Sequence, residues 1–232
     1  MTCLTSLRMN GARFGERRTL NMLASLSGLK SLRCLPPDGS TASIADAYAM
    51  HISHLTKLTS LTTMLYREQL SFHSLTSLVE VDLLVTVKTD LSDAISRLAR
   101  LETLKVVNRQ QPCLEAPSVL RNLRHLKSVA LEMPNDISRD FFPALASLPG
   151  LTFLQFNCRN HERSVPFLSQ VSQVSNLKKL SVEQVVVAHP LRFLQHGSLP
   201  RLRSLRIQPF PDLEETREEL RRRFPCLGKI TP

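Results

Sequence analysis

The chain has 232 residues, of which 42% are hydrophobic, 5% are aromatic and 41 are leucine. Such hydrophobic content excludes intrinsic disorder, and the length is enough to bury a sizeable core. No apolar stretch approaches the roughly 20 residues of a membrane-spanning helix, since the most apolar window, Val79 to Val87, contains Glu80 and Asp82. The formal net charge of +10 raises nucleic acid as a partner, depending on where the charges lie.

The cysteines favour a reducing compartment. They are odd in number, widely spaced and form no C-x-x-C pair, so neither a disulfide framework nor a zinc knuckle is predicted. The N-terminus has no signal-peptide core, because charged residues interrupt every apolar run, and we therefore expect a cytoplasmic protein. A transit peptide over residues 1 to about 24 stays as an alternative, because residues 1–30 are basic and rich in Ser and Thr. The five cysteines are Cys3, Cys34, Cys113, Cys158 and Cys226.

The leucines recur in a unit, L-x-x-L-x-x-L-x-(apolar), that can be read ten times along the chain. We take the third apolar residue of each unit as its mark. The intervals between successive marks are 25, 29, 20, 23, 25, 25, 26, 25 and 25 residues, which is too regular for chance spacing of an abundant residue. The marks are Leu7, Leu32, Leu61, Val81, Leu104, Val129, Leu154, Leu180, Leu205 and Ile230.

Each mark predicts a short strand, because the last two apolar residues of the unit alternate with polar ones. The segment between two strands leads the chain back to the start of the next strand, and we call each such segment a return. The 29-residue interval holds a Pro36–Ser40 turn cluster and a helix over Ser43 to Leu55, whereas Thr62 to Leu78 has little room for one. Helices are predicted in three later returns, at Asp90 to Leu98, Ser138 to Leu148 and Val165 to Val174. Pro143 and Pro166, in the last two, suit the start of a helix better than its middle.

This pattern resembles leucine-rich repeat proteins over essentially the whole chain, and its period resembles their ribonuclease-inhibitor-like branch. The resemblance implies an α/β fold: a right-handed solenoid, or horseshoe, of about ten repeats with a parallel concave sheet and a helical convex side, forming a single domain over residues 1–232. The sequence departs from the family pattern in one respect: the Asn or Cys that usually follows each strand is absent. This departure predicts an irregular horseshoe. The corresponding residues are Ala12, Pro37, Tyr66, Arg109, Pro134, Arg159, Val185 and Phe210.

The two ends differ. Residues 212–232 predict a helical C-terminal cap, with Asp212 and Glu215 as a capping box and Arg221 to Arg223 as a solvated last turn that complements the helix dipole. At the N-terminus Met1 is already in repeat phase, with no polar capping unit before it. A fragment of a longer protein, an irregular first unit that caps itself, and the transit peptide are the alternatives, and we favour a fragment or a partner that covers this end.

The residues flanking each mark predict the concave face, and they favour no catalytic chemistry. No His or Cys lies among them, so no nucleophile and base converge there, and we predict a protein that is not an enzyme and uses no cofactor, metal or small-molecule substrate. His51 and His54 are interpreted as surface histidines because no ligand-spaced Cys or carboxylate accompanies them. Glu80 and Asp82 are interpreted as a solvated pair.

The sequence therefore predicts a non-catalytic scaffold that binds a protein partner on the concave face. The alternative is an RNA- or ribosome-associated protein using basic terminal segments, because residues 1–30 and 201–232 carry +4 and +3 of the net charge. Mixed charge along the concave face, with Phe153 as its one ring, makes nucleic acid the less favoured partner. The predicted partner-binding residues are Arg33, Glu80, Asp82, Lys105, Phe153, Lys179, Glu183 and Arg206.

Overall fold

The computed structural model describes residues 3–10, 17–35, 51–65, 72–85, 91–108, 117–132, 140–157, 169–183, 199–208 and 214–231. The chain folds as two compact units, Met1–Glu115 (unit 1) and Ala116–Pro232 (unit 2). The eight positions that lack Asn or Cys, the Pro36–Ser40 cluster, most of the predicted Ser43 to Leu55 helix, Pro166 and Asp212 lie outside the described residues. No helix within the described ranges is long and apolar enough to cross a membrane.

Unit 1 contains five parallel strands that lie side by side in chain order. The predicted marks pair in register from strand to strand: Leu7 with Leu32, Leu32 with Leu61, Leu61 with Val81 and Val81 with Leu104. The core-facing side chains of the second to fifth strands are buried wherever they are described, which confirms the predicted strands with one buried face. The strands are β1 (Ser6–Asn10), β2 (Ser31–Leu35), β3 (Ser60–Leu65), β4 (Glu80–Val85) and β5 (Thr103–Asn108).

Unit 2 repeats this arrangement with five more parallel strands in chain order. The marks Val129, Leu154, Leu180, Leu205 and Ile230 again pair in one register line. The strands are β6 (Ser128–Glu132), β7 (Phe153–Asn157), β8 (Lys179–Glu183), β9 (Ser204–Gln208) and β10 (Lys229–Thr231).

The described return segments are short. Two of the helices predicted between strands are α-helical, α2 (Ser92–Ser96) and α3 (Phe141–Ala146), and Pro143 lies in the first turn of α3, as predicted. The described part of the 62–78 interval includes a 3-10 turn, Phe72–Ser74, and the described parts of two other returns include 3-10 helices, Pro117–Asn122 and Ser169–Gln173. The α-helices are α1 (Arg17–Ser25), α2 (Ser92–Ser96), α3 (Phe141–Ala146) and α4 (Glu214–Arg223).

The leucine spacing explains why 3-10 geometry recurs. With three residues per turn, side chains at i and i+3 lie on one side, so L-x-x-L-x-x-L directs every third residue into the core. The backbone follows this spacing: Leu75 N donates to Phe72 O at 2.9 Å and Leu78 N donates to Leu75 O at 3.1 Å. The residues that fill the core therefore also satisfy one another's backbone groups.

The repeats are joined just before each strand by one backbone carbonyl that accepts two N–H groups. In unit 1, Thr5 O accepts from Lys30 N and Ser31 N at 2.8 and 3.0 Å. In unit 2, Thr152 O accepts from Lys178 N and Lys179 N at 2.8 and 2.9 Å. This hydrogen-bonding pattern fixes the register before the strand begins and does not depend on side-chain identity.

Two glycines of unit 2 give a stability prediction. A Cβ at residue 228 would contact only the Arg203 carbonyl oxygen at 3.9 Å, so Gly228→Ala is expected to raise the free energy of unfolding by about 0.4–1 kcal/mol by restricting the unfolded chain. A Cβ at residue 150 would lie 3.3 Å from the Leu126 carbonyl oxygen. Gly150→Ala should therefore be the less stable variant in urea denaturation, and the reverse order would contradict these contacts.

Candidate binding face

The side chains opposite the core form the open face of each unit, arranged in three rows across the strands. In unit 1 the first row is mostly small and polar and the second is charged. The third row, at the strand ends, is apolar on β2 to β5 and has Asn10 on β1. The rows are Ser6, Ser31, Ser60, Glu80 and Thr103; then Arg8, Arg33, Thr62, Asp82 and Lys105; then Leu35, Met64, Leu84 and Val107.

The charged row of unit 1 changes sign along the strands. Arg8 and Arg33 are exposed on β1 and β2, whereas on β4 and β5 Lys105 Nζ donates to Asp82 Oδ2 at 3.0 Å. This ion pair contributes less than about 1 kcal/mol to stability, because both side chains are more than a third exposed. The structure thus places the predicted residues Arg33, Asp82 and Lys105 in one accessible row.

The apolar row of unit 1 was missed by the sequence analysis. Met64 pairs with Leu84, and Leu84 pairs with Val107, so the three side chains are neighbours about 5 Å apart. Each of them, and Leu35 on β2, is half-buried. The sequence did carry the signal, since period-2 alternation extended beyond each mark puts these residues on the open side.

The open face of unit 2 is more polar. Its third row consists of side chains that carry amides or carboxylates, and Gln155 Nε2 donates diagonally to Glu183 Oε1 at 3.1 Å. Lys179 and Arg206 are exposed, while Phe153 and Glu183 are half-buried. The three rows are Ser128, Phe153, Lys179, Ser204 and Lys229; then Ala130, Gln155, Ser181 and Arg206; then Glu132, Asn157, Glu183 and Gln208.

Three residues that the alternation predicts on the solvent side of unit 2 are buried. Ala130 and Ser181 are 9% and 6% exposed. They alternate along the second row with the long side chains of Gln155 and Arg206, which shield short neighbours from solvent. Glu132 is 5% exposed. The accessible part of this face is correspondingly narrower than the sequence predicts.

Features away from the open face are consistent with structural roles. In α4, Arg222 and Arg223 lie 3.8 and 3.5 Å from Glu218 and Glu219, one turn earlier, as expected for a solvated helix end. His51 is half-buried and His54 exposed. The described ranges contain no group of three or more His, Cys, Asp or Glu side chains that could hold a metal ion.

No protein-family model matches the chain, and no curated protein matches it. Among solved structures, an internalin (inlF) of Listeria monocytogenes is similar with a TM-score of 0.52 and 17% identity, covering 90% of this chain. This chain spans 56% of that one. Internalin C2 (inlC2) of the same organism has a TM-score of 0.46 and 18% identity, covering 94% of this chain and 93% of its own.

The likeness to the first internalin is one of fold, since so low an identity carries nothing about partners. It agrees with three features of the chain itself: the repeat of about 25 residues, the parallel strands in chain order and the apolar marks in register. Together these observations identify the fold of this chain as that of a leucine-rich repeat protein.

Proposed function

We propose that the chain is a non-catalytic protein-interaction scaffold that binds a partner on its open face. Repeat proteins of this architecture present extended binding surfaces, and leucine-rich repeat folds commonly serve as interaction scaffolds. The observation that carries the proposal is the pair of adjacent rows in unit 1, one charged and one apolar. Protein interfaces combine these features, with apolar anchors at the centre and charged groups around them.

The apolar row supplies the anchors. Met64, Leu84 and Val107 lie side by side on β3, β4 and β5 and are half-buried, so part of each side chain is already desolvated. Burying the rest under a partner would gain about 25 cal/mol for each Å² of apolar surface removed from water. Methionine adds adaptability because its unbranched side chain fits irregular surfaces.

The charged row supplies orientation. Arg33 on β2 and the Asp82–Lys105 pair on β4 and β5 present opposite signs at fixed strand spacing, which favours one direction of docking. In unit 2, Phe153, Lys179 and Arg206 offer a ring and two cations that suit binding hot spots. Glu80 and Glu183 add acidic groups to the open faces of units 1 and 2.

A binding role fits the chemistry of the open face better than catalysis. Among its described residues there is no His or Cys, and the carboxylates Asp82 and Glu183 are engaged by Lys105 and Gln155. General acid–base or nucleophilic catalysis needs a converging nucleophile, base and orienting group. We also assign the protein to the cytoplasm, because the exposed thiols of Cys3 and Cys226 suit a reducing compartment.

The proposal predicts that Arg33→Glu combined with Lys105→Glu weakens binding of a partner by about tenfold or more, because two hot-spot residues of about 1 kcal/mol each are reversed. The partner is identified by affinity purification with the unaltered chain and then measured by calorimetry. The free energy of unfolding should fall by no more than about 1 kcal/mol, because Arg33 is exposed and the Lys105–Asp82 pair, which the variant replaces by two carboxylates, is more than a third exposed.

The matched control is Lys57→Glu combined with Arg100→Glu. It makes the same change in net charge within the same unit, at exposed turn positions away from the open face. Affinity should stay within about twofold of the unaltered chain. Equal losses in both variants would show that net charge, and not the open face, governs binding.

A further inference from the structure

The cations of unit 2 gather at one edge, where the chain leads into each strand. Five segments lead into and begin these strands, and none of them contains a carboxylate. Nine cations lie in four of them, residues 121–129, 175–181, 199–206 and 225–231, and the fifth, residues 147–153, contains none. All nine side chains are exposed. Three of them, Lys179, Arg206 and Lys229, also belong to the rows of the open face, and the other six lie before the strands. We call the nine cations the basic edge: Arg121, Arg124, Lys127, Lys178, Lys179, Arg201, Arg203, Arg206 and Lys229.

The corresponding segments of unit 1 carry charges of both signs. Residues 3–9, 26–33, 55–62, 75–82 and 98–105 hold six cations and three carboxylates, namely Glu80, Asp82 and Glu102. The repeat architecture therefore does not itself require a one-signed edge. Its occurrence in unit 2 is a property of that unit's sequence.

Backbone hydrogen bonds place some of these cations in a close row. Lys178 N donates to Thr152 O, and Arg203 N donates to Lys178 O, both at 2.8 Å. Lys178 and Arg203 thus occupy the same position in neighbouring repeats, about 5 Å apart. Their charged groups end long, exposed side chains, so the charges are farther apart than this backbone spacing only where the side chains diverge. Like charges within the screening length of about 8 Å at physiological salt repel one another. A bound polyanion would relieve that repulsion.

We propose that the basic edge binds the phosphate backbone of a nucleic acid. Phosphate contacts require only cations and hydrogen-bond donors. Ser204 lies among the cations as an uncharged donor, and the Asn176 side-chain amide keeps one N–H beyond the one it donates to Pro149 O. Five strands at about 5 Å spacing give the edge a length of roughly 20 Å, enough for several consecutive phosphates.

An acidic protein segment fits the basic edge less well. Protein interfaces depend on aromatic or apolar anchors, and the five described segments offer only two rings, the half-buried phenyl ring of Phe153 and the exposed imidazole of His125. An extended peptide of the same length would need about six carboxylates in succession to match the edge. The scarcity of rings also means that bases are not read, so binding should be independent of sequence.

The test uses the full chain and a short, fluorescently labelled single-stranded RNA of mixed sequence. With about four to six phosphates neutralised, the slope of log affinity against log salt is expected to be about −3 to −4. Replacing Arg124, Lys178 and Arg203 by Glu should lower affinity at low salt by more than about tenfold and reduce the slope by about 2. Substitution of the same three residues by Gln should give a smaller loss in the same direction.

The control replaces three exposed lead-in cations of unit 1, Lys30, Lys57 and Arg100, by Glu, which makes the same change in net charge. It should retain affinity within about threefold. The proposal is overturned by equal losses in the two triple variants, by the absence of RNA binding at low salt, or by tighter binding of a poly-glutamate peptide than of RNA. None of the substituted residues lies on the open face, so failure of this proposal and failure of the proposed scaffold function are separate results.

Discussion

Replacing Phe142 by alanine is expected to lower the free energy of unfolding by about 3–5 kcal/mol. Phe142 lies in α3, is fully buried, and meets Phe156 of strand β7 at a ring-centroid distance of 5.8 Å and Phe141 at 5.4 Å, both edge-on. Removing the ring leaves a cavity between a return helix and its strand, and it removes two aromatic pairs that contribute beyond their buried area. Urea denaturation followed by circular dichroism measures the loss.

The matched control for this variant is Phe153→Ala. Phe153 lies in strand β7 with Phe156, but its side chain points to the open face and is half-buried. Its truncation should cost less than about 1.5 kcal/mol, because water already reaches part of the ring. If the free energy of unfolding fell as much for Phe153→Ala as for Phe142→Ala, the open side of β7 would be packed as tightly as its core side, which would contradict the structure.

The strands were the most predictable part of the fold. Each depends on two short-range regularities, the every-third-residue spacing of the return and the alternation of the strand, and both are visible in a single repeat. The pairing of Leu154 with Leu180 and Leu205 follows because identical patterns stack without a shift. A slip of one residue would turn every apolar side chain outward.

The return segments were less predictable because their apolar residues fit two periods. Val165 to Val174 reads as a helical face, yet the described part of it is a 3-10 helix over Ser169–Gln173. Val171 and Val174 are three residues apart, and Val174 N donates to Val171 O at 2.9 Å. Two buried residues at that spacing suit three residues per turn as well as 3.6.

The candidate sites were only partly predictable, because accessibility and charge clustering arise across strands. Ser181 is 6% exposed and lies in register between Gln155 and Arg206, which are 26 and 25 residues away in the sequence. Counting charge along the chain located most of the excess at the two ends. The register instead brings Lys178 beside Arg203, which no window of the sequence reveals.

Replacing Thr152 by proline is expected to lower the free energy of unfolding by about 3 kcal/mol or more. Thr152 N donates to Lys127 O at 2.9 Å, so the proline ring would take the place of the N–H and contact that carbonyl oxygen directly. The same residue's carbonyl accepts two N–H groups from the next repeat, so its displacement would disturb the register on both sides. Hydrogen exchange should show lost protection in β6, β7 and β8, because repeat stability depends on nearest neighbours.

Two controls separate this backbone effect from other causes. Thr152→Val removes the hydroxyl, whose bond to Lys127 O is 3.4 Å long, but keeps the N–H, and should cost less than about 1 kcal/mol. Arg124→Pro places proline where neighbouring repeats have Pro149, Pro200 and Pro225, and should leave stability within about 1 kcal/mol of the unaltered chain. Equal losses for the two proline variants would show that general backbone rigidity, rather than the carbonyl that joins successive repeats, sets the stability of unit 2.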